Sequence, residues 1–216
     1  MSFNVDLYWS FRSPYSYLAC GRIVQMSREW DVTVDVKPVY PIAKRTPQFF
    51  DQVNPLWPPY LMRDTYRLAQ MMDIAYHWPN PDPIAMDMAT RKPLKEHPLA
   101  TRLTHLGVAA AERGKGLAFI DEVSQLVWNG KTQNWDKGDH LAQASARAGL
   151  DLAELDRAIG DNQAYVTKVE ANQTAQLAAG HWGVPLLVFE NEPFFGQDRV
   201  DVCLWRMKQR GLQKRP

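Results

Sequence analysis

The chain is poor in cysteine: its 216 residues hold two, Cys20 and Cys203, far apart and outside any C-x-x-C pair. That scarcity points away from a disulfide framework and toward a reducing cytoplasm, with each thiol serving as a small buried apolar group. Long apolar runs are missing too. None approaches the roughly 20 residues that a membrane-spanning helix needs. The opening stretch MSFNVDLYWSFRSP has no basic segment leading into an apolar one, so no secretory signal is expected. The formal net charge is only +1, which argues against nucleic acid or a membrane surface as partner. His77, His97, His105, His140 and His181 show no metal-ligand spacing, so no metal is expected. Walker, G-x-G-x-x-G and G-x-S-x-G patterns are lacking, which removes the usual signatures of nucleotide binding and of a serine-hydrolase elbow. The short basic tail Lys214-Arg215 reads as a solvated end.

What is present is an ordered succession of elements. Residues 3–9 are rich in β-branched and aromatic side chains and predict a strand. Ser13-Pro14 then opens a helix reaching about Trp30, with Ser as N-cap and Pro at the first helical position. Val32 to Val36 predicts a second strand, parallel to the first because a helix connects them. Residues 41–59 hold five prolines and predict an extended, irregular connection. From Tyr60 to Gly180 the pattern is helical. Leu99, Leu103, Leu106 and Ala110 recur at helical spacing, as do Ile120, Val123 and Val127. Gly149 ends one helix, Asp151 caps the next, and residues 161–179 form another. Leu186 to Phe189 predicts a strand, Asn191-Glu192 a turn, Pro193 to Phe195 a returning strand, and residues 198–210 a closing helix.

A β-α-β unit followed by β-β-α is the plan of the thioredoxin fold, an α/β fold. The expected division is a thioredoxin-like domain from residues 1–50 and 181–216, with an all-helical insertion over residues 51–180. In that fold the functional site lies where the first helix begins, beside a proline that opens the third strand. Those positions hold Ser13-Pro14-Tyr15-Ser16 and Val184-Pro185. Hydroxyls in place of C-x-x-C cannot exchange disulfides. A helix N-terminus favours an anion, and a hydroxyl can donate to one, so together they can lower the pKa of a ligand's thiol. Ser13 can equally be a plain N-cap; the two roles are compatible, since a capping oxygen accepts while its proton still donates.

Ser13-Pro14-Tyr15-Ser16-Tyr17-Leu18-Ala19 resembles the N-terminal motif of the 2-hydroxychromene-2-carboxylate isomerases and the related kappa-class glutathione transferases, which share a DsbA-like thioredoxin fold. Tyr60, Asp64, Arg67 and Ala69 are similar to a second motif of that group. So are Gly183-Val184-Pro185 and Phe195-Gly196-Gln197-Asp198-Arg199, in the same order. The resemblance implies glutathione as cofactor and a small aromatic substrate. It implies that Ser13 steadies the glutathione thiolate. Val184, before a cis Pro185, would pair with the cysteinyl part of glutathione in the manner of an added strand. Phe195, Gly196, Gln197 and Asp198 would grip the γ-glutamyl end.

A basic residue after the second strand would meet the substrate's carboxylate. Lys44 and Arg45 lie there and Asn54 follows; each reads equally as a solvated loop residue. Trp57, Trp78, Trp128 and Trp135 read either as pocket lining or as core. Asp64 and Arg67, three apart on a helix, read as an ion pair. Ser10 stands where the family usually has Asp, and residues 44–50 depart from its pattern. The implied activity is isomerisation of the 2-hydroxychromene-2-carboxylate to trans-o-hydroxybenzylidenepyruvate type, by thiolate addition, rotation and elimination. A kappa-like glutathione transferase or peroxidase, or a non-catalytic thioredoxin-fold module, are the alternatives. The resemblance also implies a homodimer.

Overall fold

A computed structural model describes residues 3–87, 89, 93–160 and 162–215. Strand β1 (Phe3–Trp9) leads into helix α1 (Pro14–Glu29) and then strand β2 (Val32–Pro38). β1 pairs with β2 in parallel, from Phe3 opposite Val32 to Trp9 opposite Pro38. On its other side β1 runs antiparallel to β3 (Leu186–Phe189), which forms a hairpin with β4 (Glu192–Phe195). The sheet order is β2-β1-β3-β4. The hairpin turn falls at Glu190 and Asn191, whose φ values of 50° and 63° suit a tight strand reversal. That is one residue earlier than expected, because Glu192 already pairs with Phe189.

The connection over residues 41–59 is less irregular than its prolines suggested. It holds two one-turn helices, α2 (Ile42–Arg45) and α3 (Phe49–Gln52), and α4 (Trp57–Met71) begins inside it. Pro58 and Pro59 fall in the first turn of α4, where the missing N–H groups have no helical partner to lose. Conversely, the continuous helical run expected from Tyr60 is broken between α4 and α5 (Pro98–Glu112). Pro79, Pro81, Pro83 and Pro93 interrupt the backbone ladder there, and Asn80–Pro81 is cis.

Helices α6 (Gly116–Trp128), α7 (His140–Arg147), α8 (Leu152–Ala158) and α9 (Asn162–Ala178) follow. Asp151 caps α8 by accepting from the Ala153 and Glu154 N–H groups. Asp161, expected within the next helix, lies outside the described residues. A 3-10 turn (Gln197–Arg199) precedes the closing helix α10 (Val200–Gln209), so the helix starts two residues after Asp198.

One contiguous core joins the sheet to the helices of the middle segment. Val5, Leu7 and Trp9 pack in it with Leu103, Leu106, Phe119, Ile120 and Trp128, all almost fully buried. Burying each such side chain is worth roughly 1.5–3 kcal/mol before entropy. Trp128 matters for position as well. Its ring stacks on Tyr17 and Tyr76, and its indole N–H donates to the Phe11 carbonyl at 2.8 Å. An α6 side chain thus fixes the turn between β1 and α1, two residues before Ser13.

Cys20 and Cys203 are buried and unpaired, as expected, and burial pushes both thiols to higher pKa. The basic tail differs from expectation. Arg215 donates to the Ser27, Trp30 and Val32 carbonyls, and the Lys214 ammonium lies 5.6 Å from the Trp30 ring centroid. A guanidinium is a natural partner for the carbonyls left over where α1 ends.

Candidate functional site

Ser13 leaves β1's turn in an extended conformation, with its N–H donated to the Ser10 carbonyl at 3.0 Å. Its Oγ accepts the Ser16 N–H at 3.2 Å, so it is the N-cap of α1. The same hydroxyl donates to the Val184 carbonyl at 3.3 Å. That second bond is long, and a charged acceptor would compete for the proton effectively. The Val184–Pro185 bond is cis. Ser16, at the other end of the S-x-x-S pattern, is fully buried and its Oγ has no partner among the described residues. Ser10 is likewise buried with an unpartnered Oγ. Only Ser13 of the three faces the cleft edge formed by Val184.

The surroundings of Ser13 are tied to the helical segment. Arg12 forms a bidentate pair with Asp82 at 3.0 and 2.7 Å, and its guanidinium lies 4.4 Å from the Trp78 ring centroid. The Tyr15 hydroxyl donates to Asp64 at 2.8 Å, and the Asp64–Arg67 ion pair read from the sequence is present. Burial, then the bond to Asp64, raises the Tyr15 pKa, so this phenol is a fixed donor.

Gly183 is held from both sides. Its N–H donates to His181 Nδ1 at 2.9 Å, and its carbonyl accepts from Gln176 Nε2 at 2.7 Å. A Cβ at this position would sit 2.2 Å from the Phe195 ring, so only glycine permits that approach. Phe195 in turn stacks on His181 with ring centroids 3.9 Å apart. The Gly196 N–H donates to the Pro185 carbonyl, which brings the segment expected to grip glutathione beside the cis-proline. Within that segment, Gln197 is turned inward, its carbonyl and Oε1 both accepting from Arg22. Asp198 is exposed and pairs with Arg199 at 2.7 Å.

Lys44 and Arg45 part company on α2. Lys44 donates to Thr101 Oγ1 at 2.6 Å and covers the Tyr40 ring, so its ammonium belongs to the packing against α5. Tyr40 and His105 share a 2.6 Å hydrogen bond beneath it. Arg45 instead donates to Gln176 Oε1 at 3.0 Å. Its Nε is buried without a partner, and among the described residues no carboxylate pairs with it. Burial pushes its pKa down to about 10, which leaves it charged at neutral pH.

Arg45 lines a 420 Å³ pocket with Ile42, Thr46, Phe49, Gln173, Leu177 and Trp182. Phe49 packs against both Trp182 and Trp57, so Trp57 backs the pocket wall. Trp78, Trp128 and Trp135, the other candidates for pocket lining, do not. Trp128 and Trp135 are core, and Trp78 covers Arg12. Asn54 is exposed; its side chain caps a local turn by accepting the Leu56 N–H, and its carbonyl accepts the Trp57 N–H. Among the described residues no acidic, histidine or cysteine cluster could hold a metal, and no helix is long and apolar enough to cross a membrane.

The sequence matches the DSBA-like thioredoxin domain over residues 4–208. The chain belongs to this family. Its fold is similar to that of a solved 2-hydroxychromene-2-carboxylate isomerase, with a TM-score of 0.72 at 22% identity over 95% of both chains. It is also similar to a probable DsbA oxidoreductase from Streptomyces coelicolor (TM-score 0.67, 16% identity, 96% of this chain and 89% of that one). The cytosolic disulfide reductase DsbM from Pseudomonas aeruginosa, solved with GSH, gives 0.60 at 14% identity over 95% and 99%. No curated protein matches.

Four residues of this DSBA-like protein escaped the sequence reading: Phe49 and Trp182, which line the pocket, and Gln176 and His181, which bond to Gly183. One signal was available. On α9 the buried positions Tyr165 and Val169 continue not into Leu177, which is 61% exposed, but into amides. Asn172 donates to the Pro38 carbonyl, Gln173 accepts the Tyr40 N–H, and Gln176 bridges Arg45 to Gly183. A helix whose inward face turns from apolar to amide is approaching a polar site.

Proposed function

We propose that this DSBA-like protein is a glutathione-dependent isomerase acting on a small, conjugated aromatic carboxylate. The observation that carries the reading is the Ser13 hydroxyl, at the N-terminus of α1, donating to the carbonyl of Val184 beside Pro185. The residues fit glutathione in three respects: a hydroxyl proton engaged only by a long bond, the half-buried Val184 before the cis Pro185, and the Phe195–Gly196 segment next to it. When bound, glutathione supplies a thiolate that adds reversibly to a conjugated carbon and so lets a former double bond rotate.

The protein's part is to keep that sulfur ionised and aimed. Ser13 would turn its hydroxyl hydrogen bond from the Val184 carbonyl to the sulfur, keeping its proton, while the N–H groups of the first turn of α1 would favour the negative charge. Val184 aligns the peptide backbone of the ligand, and Asp198 receives its ammonium. Arg45 meets the substrate's carboxylate, with Phe49 and Trp182 flanking the ring. Ser13 does not attack anything itself.

The test is a count of thiol during turnover of a conjugated aromatic carboxylate. Free glutathione stays constant under the isomerase reading. Stoichiometric loss would instead establish a transferase. Absence of saturable glutathione binding by calorimetry would leave only a binding module.

A further inference from the structure

Gln176 is fully buried, and both ends of its side chain are used. Oε1 faces a guanidinium, which only donates, and Nε2 faces a carbonyl, which only accepts, so the amide has one sensible orientation. A neutral amide can hold a guanidinium in place without cancelling its charge. A carboxylate there would form a buried ion pair and remove the field that Arg45 presents to the pocket. Among the described residues the buried Arg45 Nε has no acceptor, a donor that is costly to leave unsatisfied, and Arg45 itself lines the pocket.

We propose that Gln176 is a positioning residue that holds Arg45 charged and uncompensated at the aromatic pocket, and thereby makes the site choose an anionic ligand group over a neutral one. This rests on the reading above in which Arg45 meets a carboxylate. The other end of the same amide fixes the Gly183 carbonyl, and the Gly183 N–H, in the preceding peptide group, donates to His181. One planar group therefore sets the spacing between the anion-holding guanidinium and the Val184–Pro185 edge.

The experiment uses trans-cinnamate and trans-cinnamamide, a carboxylate and its neutral counterpart, titrated by calorimetry into the full chain. The wild type should prefer cinnamate by about tenfold or more, the usual size of a hydrogen bond to a charged group. Gln176→Glu should bring the two within about twofold, as should Arg45→Gln. A preference that survives Gln176→Glu, or that is absent from the wild type, overturns the proposal. If Gln176→Glu does not fold, Gln176→Met serves: cinnamate binding should weaken about tenfold with cinnamamide unchanged, and equal affinities for cinnamate would overturn the idea. Glutathione is titrated alongside. A wild type that selects cinnamate but does not bind glutathione sinks the isomerase reading and leaves the role of Gln176 standing.

Discussion

On the Ser13 side of the proposed site the groups are mostly backbone: the N-terminal amides of α1, the Val184 carbonyl and the Gly196 N–H, with the Ser13 and Asp198 side chains among them. On the other side they are side chains from distant elements, Arg45 on α2 and Gln176 on α9, walled by Phe49 and Trp182. A backbone site travels with the fold, because any sequence that builds the βαβ unit and the proline loop recreates it. A side-chain site can change while the fold stays. Solved structures similar to this chain in fold include an isomerase and a disulfide reductase.

Removing the Ser13 hydroxyl from the backbone side should produce the largest effect. Ser13→Ala should lower kcat/KM by roughly a hundredfold to a thousandfold with the fold intact, and raise the pKa of bound thiol, read from its ultraviolet absorbance. Turnover unchanged at neutral pH would remove Ser13 from the chemistry and erase the contrast between the two sides.

Acid should act on the side-chain half. Burial, then nearby Lys44, pushes the His105 pKa down to about 4. An unfolded histidine titrates near ~6.5. Between these values the unfolded chain holds the extra proton, so stability rises with pH there. The contribution is complete above ~6.5 and disappears as the pH falls toward the folded value. Urea midpoints should record a loss on the order of 3 kcal/mol across that window. His105→Gln should flatten the slope, and an unaltered slope would assign it to other groups.

Gly183→Ala touches both sides at once. The new methyl must drive the Phe195 ring off His181. We expect about 2 kcal/mol of destabilisation and weaker glutathione binding. A variant with native stability would show that the ring yields without consequence. The smallest effect belongs to Asn54→Ala. It should cost less than about 0.5 kcal/mol and leave KM within about twofold, since Asn54 caps an exposed turn. A large rise in KM would bring Asn54 back into the site.

The two sides were also unequally legible. The N-cap, the proline after it and the strand pattern around them are local signals, and β1, α1 and β2 follow from them almost residue by residue. Lys44 and Arg45 illustrate the opposite case. Adjacent residues on a helix point about 100° apart, so the register of a one-turn helix decides which one reaches the pocket. Composition says nothing about that register. Gln176 acts on a residue 131 positions away, and its neighbours in the chain do not announce it. Between α4 and α5 the prolines outweigh the helical spacing on either side, because each removes a backbone donor from the ladder.

The central position of β1 has an outcome for assembly. β2 lies against one edge of it after a single helix, whereas β3 must return across the whole middle of the chain to reach the other. A partly formed molecule could therefore own a well-made first helix with a serine at its tip and still have no groove. The cleft arrives complete or not at all, so half-folded chains should be unable to sequester the tripeptide that the finished protein is proposed to bind.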